Sequence, residues 1–78
     1  MTEIEWLEAF FDNLRDCMEL RGYGVRELSE ASGISRQNIY RYINKTQAPS
    51  AITIVKLAYA LDVDYEDLMG FPEEIEKD

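Results

Sequence analysis

The fold is decided by the stretch LSEASGISRQNIYRYIN, which covers residues 28–44. Its apolar side chains recur at the spacing of two short amphipathic helices, and Gly33 lies between them. Glycine adopts a positive φ at little cost, so Gly33 ends the first helix and permits a tight turn. The pattern predicts one helix over residues 25–32 and a second that Ser35 caps and that ends near Ile43.

The apolar residues also predict which side of each helix faces a core. Leu28 and Ala31 are expected to face inward from the first helix. Ile39 and Ile43 are expected to do so from the second, with Tyr42 beside them. The side chains left on the outer side of the second helix are Arg36, Gln37, Tyr40, Arg41 and Asn44. Arginine pairs bidentately with guanine and glutamine with adenine in the major groove, so this face is of a base-reading type.

Three further helices are predicted around this pair. Thr2 and Glu5 form the pattern of a capping box, so a long first helix is expected to run to about Leu20. Its apolar stripe consists of Ile4, Leu7, Phe11, Leu14 and Met18. Ser50 caps a fourth helix, and Asp64 precedes a short fifth helix. The inward side of the fourth helix is formed by Ile54, Leu57, Ala58 and Leu61.

Together these elements predict an all-α protein, a compact five-helix bundle with an extended N-terminal helix. The connections are short, and 78 residues leave no room for a second domain. A single domain is therefore expected over residues 1–72, followed by an acidic tail at 73–78.

Charge is distributed unevenly along the chain. The net charge is −8, from 8 basic and 16 acidic residues, yet the segment 31–61 contains no Asp or Glu. Its basic residues are Arg36, Arg41, Lys45 and Lys56. The rest of the chain has 4 basic and 16 acidic residues. Overall acidity disfavours a nucleic-acid partner, but a sign asymmetry of this kind indicates that the basic segment has a partner.

Composition excludes several classes of function. The chain has no histidine and one cysteine, so a His-ligated metal, a thiolate cage, an internal disulfide and His-dependent nucleophilic catalysis are excluded. That cysteine, Cys17, lies on the apolar side of the first helix and is expected in the core. Asp67 occupies the place where a calcium-binding EF-hand loop, begun at Asp62, needs glycine. We expect no enzyme, cofactor, metal or membrane span, and the acidic N-terminus favours a cytoplasmic location.

The stretch 28–44 resembles the Cro and phage-repressor-like family, also called the XRE family, of helix-turn-helix DNA-binding domains. Pro49-Ser50 and the segment LAYALDV at 57–63 look like the fourth helix of that family and its exit, and the likeness covers roughly residues 11–69. It implies a repressor-like fold and a sequence-specific regulator of transcription, of phage or bacterial origin, that acts by steric repression. Helix 35–43 is expected to enter the major groove of duplex DNA.

The resemblance also implies roles for individual residues. Base reading is implied for Arg36, Gln37 and Arg41. Contacts with the DNA backbone are implied for Arg26, Ser35, Asn38, Tyr40, Asn44, Lys45 and Thr46. The sequence departs from the family where Gly24 and Val25 replace a capping hydroxyl and a glutamine. Lys45 replaces a glycine of the family, so Asn44 is expected to take the left-handed conformation instead.

A homodimer is the expected assembly, because one recognition helix reads too few base pairs for a useful genomic site. The acidic surface disfavours polar self-pairing, so the predicted interface has Met69 and Phe71 at its centre and Tyr65 and Trp6 beside them. The operator is then an inverted repeat with half-sites about ten base pairs apart. The alternative is a protein-interaction or antitoxin-type module on the same scaffold with weak or no DNA binding, which the charge of −8 favours.

Overall fold

The computed structural model describes residues 3–69, with side chains from residue 5 onward. This part of the chain forms five helices and no strand: α1 (Glu3–Arg21), α2 (Val25–Ser32), α3 (Arg36–Ile43), α4 (Ala51–Leu61) and α5 (Tyr65–Met69). The predicted all-α class and five-helix order are confirmed. The Thr2 cap, the Ile4 side chain, Phe71 and the tail at 73–78 lie outside the described residues.

Two of the helices begin at the predicted hydroxyl caps. The Ser35 hydroxyl accepts a hydrogen bond from the backbone N–H of Asn38 at 3.2 Å. The Ser50 hydroxyl accepts one from the backbone N–H of Thr53, also at 3.2 Å. Each cap satisfies a donor that the first turn of a helix leaves unpaired, so α3 and α4 start where the sequence predicts. The long helix α1 ends at Arg21, one residue beyond the predicted end.

The core forms where α1 packs on α3, α4 and α5, and α2 packs on α3 and α4. The rings of Phe10 and Tyr42 meet edge to face with centroids 6.3 Å apart, which joins α1 to α3. Every helix contributes to the set of large side chains that are fully buried: Phe10, Leu14, Leu28, Ile39, Leu57, Leu61 and Leu68. The predicted inward residues of α4 are all buried, as is Cys17 of α1.

The prediction for Ala31 is wrong, because this residue is exposed. The inward side of α2 is centred on Leu28 and continues to Ser32, which is four positions later and half-buried, instead of to Ala31. In α3 the buried side is likewise rotated by one position. Tyr42 is only 3% exposed, whereas Ile43 is half-buried and packs at the margin of the core.

Replacing Ile39 by alanine is expected to lower the free energy of unfolding by about 2–5 kcal/mol, because this side chain is fully buried and its removal leaves a cavity. Tyr40→Ala is the matched control on the same helix, since the Tyr40 side chain is 52% exposed. Urea denaturation followed by circular dichroism measures both changes. Equal stabilities for the Ile39 variant and the wild type would contradict the phase assigned to α3.

Candidate nucleic-acid interface

The turn between α2 and α3 is held by three hydrogen bonds around Gly33. This glycine has φ +77° and its backbone N–H donates to the carbonyl of Ser29 at 2.9 Å. The Ser29 hydroxyl donates to the carbonyl of Ile34 at 2.6 Å. The backbone N–H of Ile34 donates to the Ser32 hydroxyl at 3.1 Å. The Ser29 hydroxyl therefore links α2 to the residue that leads into α3.

The outer face of α3 brings together the residues predicted to read bases. Ile39 and Tyr42 anchor the opposite side of the helix in the core. The exposed residues of α3 and its C-cap are Arg36, Gln37, Tyr40, Arg41 and Asn44. At about 100° per residue they span an arc of roughly 140°, which is one continuous face. None of them is acidic, so the face presents donors and acceptors of hydrogen bonds without a negative charge.

Arg41 is held in place by neutral neighbours. Its Nη1 donates to Asn38 Oδ1 at 3.2 Å and lies 3.5 Å from Gln47 Oε1. The carbonyl of Arg41 accepts from the backbone N–H of Thr46 at 2.9 Å and from the Thr46 hydroxyl at 3.2 Å. Asn38 and Thr46 were predicted to touch DNA phosphates, and here both make contacts that shape α3 and its exit. Gln47 was not predicted, and no spacing rule singles it out, because its contact depends on the path of the loop.

Lys45 takes the left-handed conformation in the loop after α3. Its φ is +64°, whereas Asn44 has φ −84°, so the prediction that Asn44 would take this conformation is wrong. Asn44 instead caps α3, and its backbone N–H donates to the carbonyl of Tyr40 at 2.8 Å. The Lys45 ammonium lies 2.6 Å from Glu8 Oε1 of α1, and both side chains are partly exposed. Sequence reasoning missed this ion pair, because its partners are 37 positions apart.

The start of α2 lacks a capping hydroxyl but gains a carboxylate. Glu27 Oε1 accepts a hydrogen bond from the backbone N–H of Gly24 at 3.0 Å. Hydrogen bonds from its own backbone N–H and from that of Gly24 lower the pKa of Glu27, with a smaller contribution from Arg26. Arg26 lies 3.6 Å from Glu27, and both side chains are largely exposed. A glutamate three residues after the cap is half of a capping box, and this was the signal available in the sequence.

The predicted dimer residues are not the most exposed apolar side chains. Trp6, Tyr65 and Met69 are half-buried, and the last two pack against the core. The large apolar residues exposed on α4 are Ile52, Val55 and Tyr59. They are spaced by three and four residues and form one face of that helix. Beside them is a shallow groove of about 230 Å³ lined by Val55, Ala58, Tyr59, Val63, Asp64 and Tyr65.

The described part of the chain also bears on metal binding, thiol reactivity and membrane insertion. Residues 3–69 contain no group of His, Cys, Asp and Glu side chains that could hold a metal ion. Burial raises the pKa of the Cys17 thiol, and the charges of Asp67 and Asp16 raise it further. None of the described helices combines the length and apolar character needed to cross a lipid bilayer.

Comparisons with known proteins relate the chain to regulators of transcription. Residues 13–74 match the family model of the Cro/C1-type HTH DNA-binding domain. The HTH-type transcriptional repressor RghR of Bacillus subtilis (strain 168) is 41% identical over 73 residues, covering 88% of this chain and 54% of RghR. The uncharacterized HTH-type transcriptional regulator RghRB of the same organism is 39% identical over 77 residues, covering 88% of this chain and 55% of its own. The chain spans about half the length of these curated relatives.

A solved structure has a similar fold. The crystal structure of the restriction-modification controller protein C.AhdI from Aeromonas hydrophila superposes with a TM-score of 0.75 and 29% sequence identity. The match covers 80% of this chain and 94% of that one. The matched family is a DNA-binding domain and these relatives are named as regulators, so the comparisons point away from an enzyme.

Glu27→Gln is expected to lower the midpoint of thermal unfolding at neutral pH and to lose this effect in acid. The pKa of Glu27 is lower in the folded state, so its stabilising contribution is complete above the pKa of an unfolded glutamate, about 4.3. The contribution disappears as the pH falls through the folded-state pKa, and the midpoints of wild type and variant then converge. Thermal melts from about pH 7 to pH 3 test this, with Glu30→Gln on the same helix as the control. A difference that is independent of pH would contradict the proposed cap.

Proposed function

Because this chain belongs to the Cro/C1-type HTH DNA-binding family, we propose that it binds duplex DNA sequence-specifically through α3 and represses transcription. The observation that carries the proposal is the coincidence of charge and geometry. The segment 31–61 has no acidic residue, and it contains the exposed face of α3 that presents Arg36, Gln37 and Arg41. The similarity to the repressor RghR supports the direction of regulation. A cytoplasmic location accords with this function.

In this proposal the three exposed side chains read bases. Arginine donates two hydrogen bonds to the O6 and N7 atoms of guanine, and glutamine pairs in the same way with adenine. Arg41 is already held by Asn38, so fewer side-chain conformations are lost when the complex forms. The backbone contacts proposed around this face come from Arg26, Ser35, Asn38, Tyr40, Asn44, Lys45 and Thr46. Such contacts fix the position of α3 in the groove without reading sequence.

We also propose that two copies bind an inverted repeat, with α4 rather than the end of α5 at the centre of their contact. The face formed by Ile52, Val55 and Tyr59 is apolar and lies on a helix without acidic residues. Two chains of charge −8 repel each other elsewhere, so this face has the lowest electrostatic cost of self-pairing. In a two-fold contact the Tyr59 ring of each copy can enter the groove beside Tyr65 of the other. Of the residues predicted from the sequence, Tyr65 is the one that this contact uses.

A protein-interaction module with weak or no DNA binding is the second candidate. Two observations favour it. The net charge is −8, and the ammonium of Lys45 is already paired with the Glu8 carboxylate. A gel shift with the promoter beside the protein's own gene separates the two functions. A shifted band that survives an excess of random duplex supports the regulator. No shift at any protein concentration would favour the interaction module.

Gln37→Ala is expected to weaken operator binding by about 1–3 kcal/mol and to remove discrimination at one base pair of each half-site. The physical reason is the loss of a bidentate contact from an exposed side chain of α3. Affinities for a set of duplexes, each changed at one position, measure both effects. Unchanged affinity together with unchanged discrimination would exclude Gln37 from the reading face.

Tyr59→Glu is expected to convert the free protein to a monomer, because the new carboxylate of each copy would enter the apolar groove of the other, where Asp64 repels it. Leu20→Glu is the matched control, since Leu20 of α1 and Tyr59 are both 86% exposed. Sedimentation equilibrium of the wild type and both variants decides. Dissociation of the Leu20 variant alone would place the contact on α1 instead.

A further inference from the structure

The ion pair between Lys45 and Glu8 has a consequence for DNA binding. The Lys45 ammonium and Glu8 Oε1 are 2.6 Å apart, and the side chains are 37% and 53% exposed. Lys45 immediately follows the cap of α3, so its ammonium is carried by the loop that leaves the recognition helix. Glu8 comes from α1, so the ion pair joins the first helix to the loop that follows α3.

Lys45 differs in this respect from the other basic residues of the acid-free segment. Within the described residues, Arg36, Arg41 and Lys56 are in no ion pair, and Arg41 contacts the neutral side chains of Asn38 and Gln47. Among the described residues, the acid that forms an ion pair with this segment is therefore bonded to the lysine nearest the end of α3. An exposed ion pair contributes little to the free energy of unfolding, so stability alone does not explain why Lys45 and Glu8 are paired.

We infer that Glu8 is an intramolecular competitor of DNA phosphate for Lys45, and that it lowers the affinity of the protein for duplex DNA of any sequence. This inference rests on the proposed function. A carboxylate has the charge sign and hydrogen-bonding oxygens of a phosphate, so it satisfies the ammonium while the protein is free. DNA must displace the Glu8 carboxylate from Lys45, or a phosphate must share the Lys45 ammonium with it. Either outcome costs binding energy that the cations of α3 do not lose.

The role assigned to Glu8 is the restraint of non-specific binding. Contacts with phosphate supply essentially all of the affinity for random sequence, whereas base contacts add the affinity for the operator. The pairing of Lys45 with Glu8 does not involve the side chains of α3 that we propose to read bases. The pair thus shifts the balance from binding of any duplex toward binding of a sequence that engages Arg36, Gln37 and Arg41.

The variant Glu8→Gln tests this inference, with Glu19→Gln as the matched control. Both changes remove one negative charge from α1, but Glu19 makes no ion pair among the described residues. Coulomb's law for an ammonium about 4 Å from a phosphate, at the dielectric constant of water, predicts about fivefold tighter binding when Lys45 regains this contact. The probe is a fluorescent random-sequence duplex titrated by anisotropy from about 50 to 200 mM salt. The slope of log affinity against log salt is expected to steepen by up to about one unit.

A double-mutant cycle shows whether the effect passes through Lys45. In a Lys45→Ala background, Glu8→Gln is expected to change affinity no more than Glu19→Gln does, because the contested cation is gone. Thermal melts check that every variant is folded. The inference is overturned if Glu8→Gln equals its control, if it weakens binding, or if its effect persists without Lys45. If the wild type and all variants bind no duplex at low salt, the proposed function itself fails.

Discussion

The position of α3 depends on the tight turn that joins it to α2. Gly33 supplies the left-handed residue, and the hydroxyls of Ser29 and Ser32 complete the polar contacts of the turn. Burial of Ile39 and Tyr42 then holds α3 against α1. Because these contacts fix both the angle and the rotation of the helix, they decide which side chains face outward. The exposed face of α3, for which we propose base reading, is a consequence of that packing.

The distribution of charge complements this geometry. An acidic surface keeps a small protein soluble and weakens its attraction to DNA in general. The acid-free segment interrupts that surface on α3 and α4, where one helix presents polar donors and the other presents apolar side chains. The same exclusion of acids therefore serves two different contacts. The proposed partner of α3 is DNA, and the proposed partner of α4 is a second copy of the chain.

Much of this fold could be predicted from sequence because its signals are local. The caps at Ser35 and Ser50, the bounds of α2 and α5, and the glycine turn each depend on residues within one or two helical turns. The errors arise where tertiary structure chooses between local options. Ala31 and Ser32 are both within reach of an inward arc, and packing selects the latter.

The candidate site divides along the same line. Exposure of Arg36, Gln37 and Arg41 follows from the phase of one helix, so it was predictable. The contact of Arg41 with Gln47 and that of Lys45 with Glu8 require the path of a loop and the placement of a distant helix. The left-handed conformation at Lys45 likewise depends on how the loop closes. Cys17 is buried in this bundle as a free thiol, so its reactivity depends on how often the bundle opens. An alkylating reagent reaches the sulfur when the helices separate. The rate of alkylation therefore reports how often the native state opens.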